Sequence, residues 1–224
     1  MHYKILRKIF AILTFMSGAL FSYSGFASEL TIDNFTDFQV VRDRGDVIGA
    51  TESTLLALTG TSLQNTSRTF TAEATVGDYA SKIGIKSDGN LLEIGNSGSS
   101  SGSASIEWNF DPIDFTQFGN AILLEVVDID LNVNAEMVVN GIASSGIKTF
   151  SGVDNFLVNF NDFSNSGVFS NVSSFRLNFS GPLAWDGQFR LLTTTTPVPL
   201  PSTFLLMGST LFGFIGISRR KSII

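Results

Sequence analysis

Between residues 104 and 110 the chain alternates without a fault. Ala104, Ile106, Trp108 and Phe110 fall on one side, and Ser105, Glu107 and Asn109 on the other. A period of two belongs to a strand with one covered face. The same alternation returns at Leu30 and Ile32, at Phe70, Ala72 and Ala74, at Ile83 and Ile85, and at Leu131, Val133, Ala135 and Met137. It returns again at Phe156, Val158 and Phe160, at Phe175, Leu177 and Phe179, and at Phe189 and Leu191. Residues 38–41, 54–58 and 91–94 predict further short strands. Residues 121–127 are nearly all apolar, as expected of a strand central in its sheet or covered on both faces.

Turn signals separate these stretches. Asp88-Gly89 predicts a hairpin and Asn140-Gly141 a type I′ turn, because Asn and Gly tolerate the left-handed backbone such turns need. Asp111-Pro112 turns the chain, and residues 42–46 (RDRGD) read as a charged turn around Gly45. Residues 96–103 (NSGSSSGS) predict a flexible surface loop. No long segment carries a helical period. About ten short strands, spaced by roughly 8–12 residues, predict an all-β fold, an antiparallel β-sandwich or jelly roll. The 21 phenylalanines suit a core of rings facing one another across two sheets.

Both ends break this pattern. Lys4, Arg7 and Lys8 precede an apolar run at 9–23, and Gly25-Phe26-Ala27 offers small residues at a cleavage site. Residues 1–27 therefore read as a secretory signal peptide. At the other end, Pro197, Pro199 and Pro201 hold the chain extended before an uncharged run at 203–217. Arg219, Arg220 and Lys221 follow. A helix of about 15 residues reaches about 22 Å, short of the roughly 30 Å hydrocarbon core, a gap that snorkelling arginines and local thinning cover. The expectation is one short transmembrane helix at about 203–218, a basic tail at 219–221 on the cytoplasmic side, and the body outside. One domain remains, residues 28–195, large enough for a real core.

The order Val198-Pro199-Leu200-Pro201-Ser202, then an apolar Gly-containing run, then Arg219-Arg220-Lys221 resembles the PEP-CTERM sorting signal of Gram-negative bacteria. Leu200 stands where glutamate is typical, which is similar to the Val-Pro-Leu-Pro variant of that signal. The signal peptide implies export by the Sec translocon and cutting by signal peptidase, and the resemblance implies handling by exosortase. It implies transient anchoring in the inner membrane, then delivery to the cell surface or an exopolysaccharide matrix.

Charge and composition narrow the chemistry of the body. All 20 acidic residues lie in it but only 8 of the 14 basic ones, giving a net charge of −12. Such a body repels nucleic acid, which is not expected as a partner. There is no cysteine, and the one histidine, His2, lies in the signal peptide. Triad catalysis and ordinary zinc, copper or iron sites need imidazole or thiolate and are excluded from the body. Paired carboxylates and oxygen-ligated calcium survive. Asp111 with Asp114 and Asp128 with Asp130 are the candidate pairs, and their spacings suit solvated turns. No catalytic residue is assigned, and no cofactor is expected beyond a structural calcium.

The body more loosely resembles jelly-roll, galactose-binding-like domains, through its opening Thr31-Ile32-Asp33-Asn34-Phe35, its middle Phe110-Asp111-Pro112-Ile113-Asp114-Phe115 and its closing Trp185-Asp186-Gly187-Gln188-Phe189. That resemblance implies a structural ion between first and last strands, with Asp33 and Asp186 as ligands. A carbohydrate face needs exposed rings. Trp185, beside Pro182 and Gly187 in an apparent loop, and Tyr79 are the candidates, while Trp108 is expected in the core. The leading expectation is a non-catalytic envelope or matrix protein. A carbohydrate-binding module for the matrix polysaccharide comes next, and a carboxylate-dependent glycan hydrolase last.

Overall fold

Among the described residues, fourteen strands carry the alternation into three dimensions. In chain order they are β1 (Thr31–Asp33), β2 (Gln39–Asp43), β3 (Thr51–Leu56), β4 (Ser67–Glu73), β5 (Ile83–Asp88), β6 (Leu91–Asn96) and β7 (Ser103–Ile113). Then follow β8 (Ala121–Ile129), β9 (Val133–Val139), β10 (Ala143–Ser144), β11 (Lys148–Phe150), β12 (Phe156–Asn159), β13 (Val172–Ser180) and β14 (Asp186–Thr195). The computed structural model describes residues 29–46, 48–74 and 82–196. The expected signal peptide, Tyr79, the sorting motif, the helix at about 203–218 and the basic tail lie outside the described residues.

Every pairing is antiparallel, and the strands form two seven-stranded sheets. Sheet A runs β12-β8-β14-β6-β5-β2, with β1 beside β14; sheet B runs β10-β9-β13-β7-β4-β3, with β11 beside β9. The inward residues of both sheets merge into one core, as two-layer packing requires. Phe179 of β13 stacks on Phe189 of β14 at 5.0 Å, one contact directly across the layers. Trp108 lies 6.4 Å from Phe35 and 6.1 Å from Phe175, fully buried as expected. The apolar β8 sits between β12 and β14, with alternate residues turned to the core.

Asp111-Pro112 does not turn the chain, since both residues lie within β7, which runs on to Ile113; the other turns follow the same logic. Asn140 and Gly141 have φ of 51° and 68°, both left-handed, which is the type I′ geometry expected there. In the β5–β6 hairpin the left-handed pair is Gly89 and Asn90, at 57° and 70°. The turn therefore sits one residue later than Asp88-Gly89. Several strand expectations are trimmed: Leu30, Phe38, Ala57, Leu58 and Ala74 fall just outside β1, β2, β3 and β4. Leu131 stays outside β9 and is 40% exposed. Phe160 leaves β12 for a 3-10 turn, Phe160–Asp162, and stacks on Phe169 at 3.8 Å.

The core holds one residue that its polarity would place outside. Arg68 of β4 is in phase with Phe70 and Ala72 and is fully buried. Its Nη1 donates to Asp33 Oδ2 at 2.6 Å, and its Nε to Gln39 Oε1 at 2.8 Å. Its Nη2 donates to Asp37 O at 2.9 Å and to Ser87 Oγ at 2.7 Å. The guanidinium also lies 4.6 Å from the centre of the Phe70 ring. One sheet B cation thus gathers β1, β2 and β5 of sheet A. A buried charge persists only when paired and hydrogen-bonded in this way.

Asp33 is the other half of that pair, which corrects its expected role as a calcium ligand. It is fully buried; Oδ2 accepts from Arg68 and from Trp108 Nε1 at 2.7 Å, and Oδ1 accepts from Phe35 N at 2.7 Å. Burial pushes its carboxyl upward, while the Arg68 charge and the N–H groups of Trp108 and Phe35 draw it back.

Candidate functional site

Sheet B turns a groove of about 320 Å³ to solvent. It crosses four neighbouring strands in register. Thr71 on β4 faces Ser105 on β7, Ser105 faces Asn178 on β13, and Asn178 faces Glu136 on β9. The adjoining row pairs Glu73 with Ser103 and Ser180 with Asn134. These positions alternate with Phe70, Ala104, Leu177 and Ala135, whose burial in the core forces their neighbours outward.

The groove's polar atoms are held in place. Glu136 Oε2 accepts from Asn178 Nδ2 at 3.1 Å, and Oε1 from Ser144 Oγ at 2.5 Å. Asn134 Oδ1 accepts from Thr149 Oγ1 at 2.5 Å. Thr71 Oγ1 donates to Glu52 Oε1 at 3.3 Å. Ile147, 73% exposed, supplies an apolar wall. Hydroxyl, amide and carboxylate groups on a rigid sheet suit a neutral polyol. The lining contains two carboxylates and no cation, which disfavours an anion.

The remaining candidates fall elsewhere. Trp185 is not an exposed ring. It is fully buried, and its Nε1 donates to Gly102 O at 3.0 Å. The ring closes the space above Gly181, where an added Cβ would lie 2.5 Å from Trp185 Cγ. That contact also revises the loop at 96–103: Ser100 is fully buried, Ala184 N donates to its carbonyl at 2.8 Å, and the loop's end receives the indole. Asp186 lies at the far end of β14 from Asp33. Asp33 pairs with Leu192 and Asp186 with Gly95, so the two do not share a site. Asp186 Oδ1 accepts from Asn96 N at 2.7 Å. Among the described residues no three carboxylates or other metal-binding groups cluster.

The paired acids serve as local fasteners. Asp114 caps the 3-10 turn Phe115–Gln117; hydrogen bonds from the Thr116 hydroxyl, the Gln117 amide and Thr116 N hold its carboxyl below the usual range. Asp111 accepts from Asn65 Nδ2 at 2.7 Å, and Asp130 accepts from Asp186 N at 2.8 Å. Asp128 lies opposite Gln188.

The body ends where the tail begins. β14 stops at Thr195, whose carbonyl accepts from Asn120 N at 3.0 Å. Residues 197–221 match the PEP-CTERM protein-sorting motif. Such a motif marks an exported protein, anchored transiently at the membrane and processed by exosortase. The match begins two residues after the last strand, so body and sorting motif adjoin without an intervening domain. No curated protein matches the chain in sequence. Among solved structures, the chain is similar to the family 11 carbohydrate-binding module of cellulosomal cellulase Lic26A-Cel5E of Clostridium thermocellum, with 14% identity and a TM-score of 0.40 over 78% of this chain and 99% of that one. A second structure, of the family 11 module from Clostridium thermocellum in complex with a β-1,3-1,4-mixed-linked tetrasaccharide, gives 11% identity and a TM-score of 0.39 over the same shares. Likeness at this level assigns no ligand to this chain.

Proposed function

We propose that the chain is a non-catalytic protein of the cell envelope or exopolysaccharide matrix, brought to the membrane by its C-terminal motif and released to its place by exosortase. The sorting motif directly behind the last strand carries this reading. The absence of histidine and cysteine from the body favours binding over catalysis. The orientation is that of the sequence: body outside, Arg219, Arg220 and Lys221 on the cytoplasmic side. The signal peptide at 1–27 supplies entry through the Sec translocon.

The body's task in this reading is to hold matrix polysaccharide in the sheet B groove. The row Thr71, Ser105, Asn178 and Glu136 offers donors and acceptors at strand spacing, and the fixed Glu136 carboxylate is a strong acceptor for sugar hydroxyls. Neither Trp185 nor Asp33 enters this role, since both are fully buried.

Export is tested by fractionating a Gram-negative host that carries an exosortase. Replacing Pro199 and Pro201 with alanine is expected to leave the protein in the inner membrane, uncut. Equal release of variant and parent would refute the sorting role. For the groove, Glu136→Ala with Asn178→Ala is expected to weaken retention on immobilised neutral exopolysaccharide by about tenfold, the loss of one or two charge-assisted hydrogen bonds.

A further inference from the structure

The opposite sheet holds a second recess, and its chemistry differs. On the outer face of sheet A, Arg42 of β2 faces Gly84 of β5, Gly84 faces Gly95 of β6, and Gly95 faces Asp186 of β14. Two glycines side by side leave a floor of bare backbone. Around it lies a trough of about 360 Å³ that Arg44 and Lys82 also line.

Nothing within the fold calls for glycine at either position. Neither has a left-handed φ. A Cβ on Gly84 would meet Arg42 Cγ at 3.5 Å, and one on Gly95 would meet Asp186 Oδ1 at 3.4 Å, both ordinary contact distances. Glycine inside a strand weakens it, and a paired, outward-facing, unstrained set marks a place where something approaches the backbone closely.

The charges show what approaches. Among the described residues, four of the body's cations have carboxylate partners: Arg68 with Asp33, Lys86 with Asp88 and Glu93, Arg176 with Glu107, and Arg190 with Glu125. Four have none among the described residues, and three of these, Arg42, Arg44 and Lys82, line this trough. Asp43 lines the trough as well, between Arg42 and Arg44. It turns inward, where its carboxylate accepts from Gly45 N at 3.0 Å and from Ala74 N at 2.7 Å. Lys82 is set by its backbone: its N–H donates to Ser97 Oγ at 3.0 Å, and its carbonyl accepts from Ser97 N at 2.9 Å. The trough thus holds three cations against one inward-turned carboxylate, and Asp186 of β14, paired with Gly95, flanks its floor on the other side.

We infer that this trough binds a uronate unit of an acidic polysaccharide, its carboxylate on Arg42, Arg44 and Lys82 and its ring hydroxyls directed to Asp186. A guanidinium fork suits a carboxylate, and a carboxylate acceptor suits hydroxyls. A ring lying flat over Gly84 and Gly95 uses the space their missing side chains leave. The choice of a polysaccharide rests on the matrix reading above; the site itself rests on sheet A alone and does not involve the sheet B groove.

The test is affinity electrophoresis of the full chain in mild detergent, through gels carrying polygalacturonate or its carboxyl-reduced form. The parent is expected to be retarded by the first polymer and not by the second. Arg42→Ala with Arg44→Ala is expected to raise the apparent Kd by at least about tenfold. Gly84→Val, which fills the floor and leaves every charge in place, is expected to do the same while keeping the parent's melting temperature. Lys148→Ala, a cation on the other sheet with no carboxylate partner among the described residues, is expected to change nothing. Equal retardation on the reduced polymer would overturn the inference. So would a Gly84→Val protein that binds like the parent, or a loss with Lys148→Ala as large as with the arginine pair. Tail processing does not enter this measurement. A chain cut and released as proposed, yet not retarded, would end this inference and leave the sorting reading standing.

Discussion

Arg68 decides how the two sheets meet. Its phase is that of Phe70, two residues on, but a lone arginine in a strand gives no signal of burial. The partners were not legible, because Asp33, Gln39 and Ser87 come from three other strands. Replacing Arg68 with methionine keeps the stem and strands the Asp33 carboxylate. The expected loss is about 3–5 kcal/mol in urea unfolding, as for other broken buried pairs. A loss below about 1 kcal/mol would mean that the pair does not join the sheets.

Asp37 answers to pH instead. Partial burial, the largest single influence, raises its carboxyl, but the Thr59 hydroxyl, the Gly60 and Thr59 N–H groups and the Arg68 charge together outweigh it and hold it below its usual range. A depressed folded value contributes stability that is full above the unfolded pKa of about 3.9 and is lost as pH falls through the folded value. Asp37→Asn is therefore expected to be less stable than the parent at pH 7, with the gap closing below about pH 4. A gap unchanged at pH 3 would contradict this.

At the scale of elements, strand positions were readable because one covered face imposes a period of two. Loops were not, because nothing local fixes what lies on top of them. The stretch 96–103 has the composition of a free linker, yet its Gly102 carbonyl takes the Trp185 indole. Trp185 was misplaced for the same reason, its neighbours Pro182 and Gly187 giving a loop's appearance to a ring that is fully buried. Trp185→Ala is accordingly expected to cost about 3–5 kcal/mol in stability, as large-to-small core changes do. An unchanged denaturation midpoint would place the ring at the surface after all. The sheet B groove was likewise beyond the sequence. Its members Thr71, Ser105, Asn178 and Glu136 are ordinary outward residues until register aligns them.

At the scale of the whole molecule, address and activity are written in different parts of the chain. The address lies in the terminal segments, whose order of prolines, apolar run and cations is local and so can be read directly. The proposed binding sites lie on two outward faces of one sandwich, which only pairing across strands assembles. The account stands first on the address. The intact mass of the protein recovered from the surface or medium of an exosortase-bearing host tests it most directly. Loss of residues 1–27 together with everything beyond about Pro199 is the expected result. A mass that retains residues 204–224 would make the chain a permanently anchored membrane protein and contradict exosortase processing.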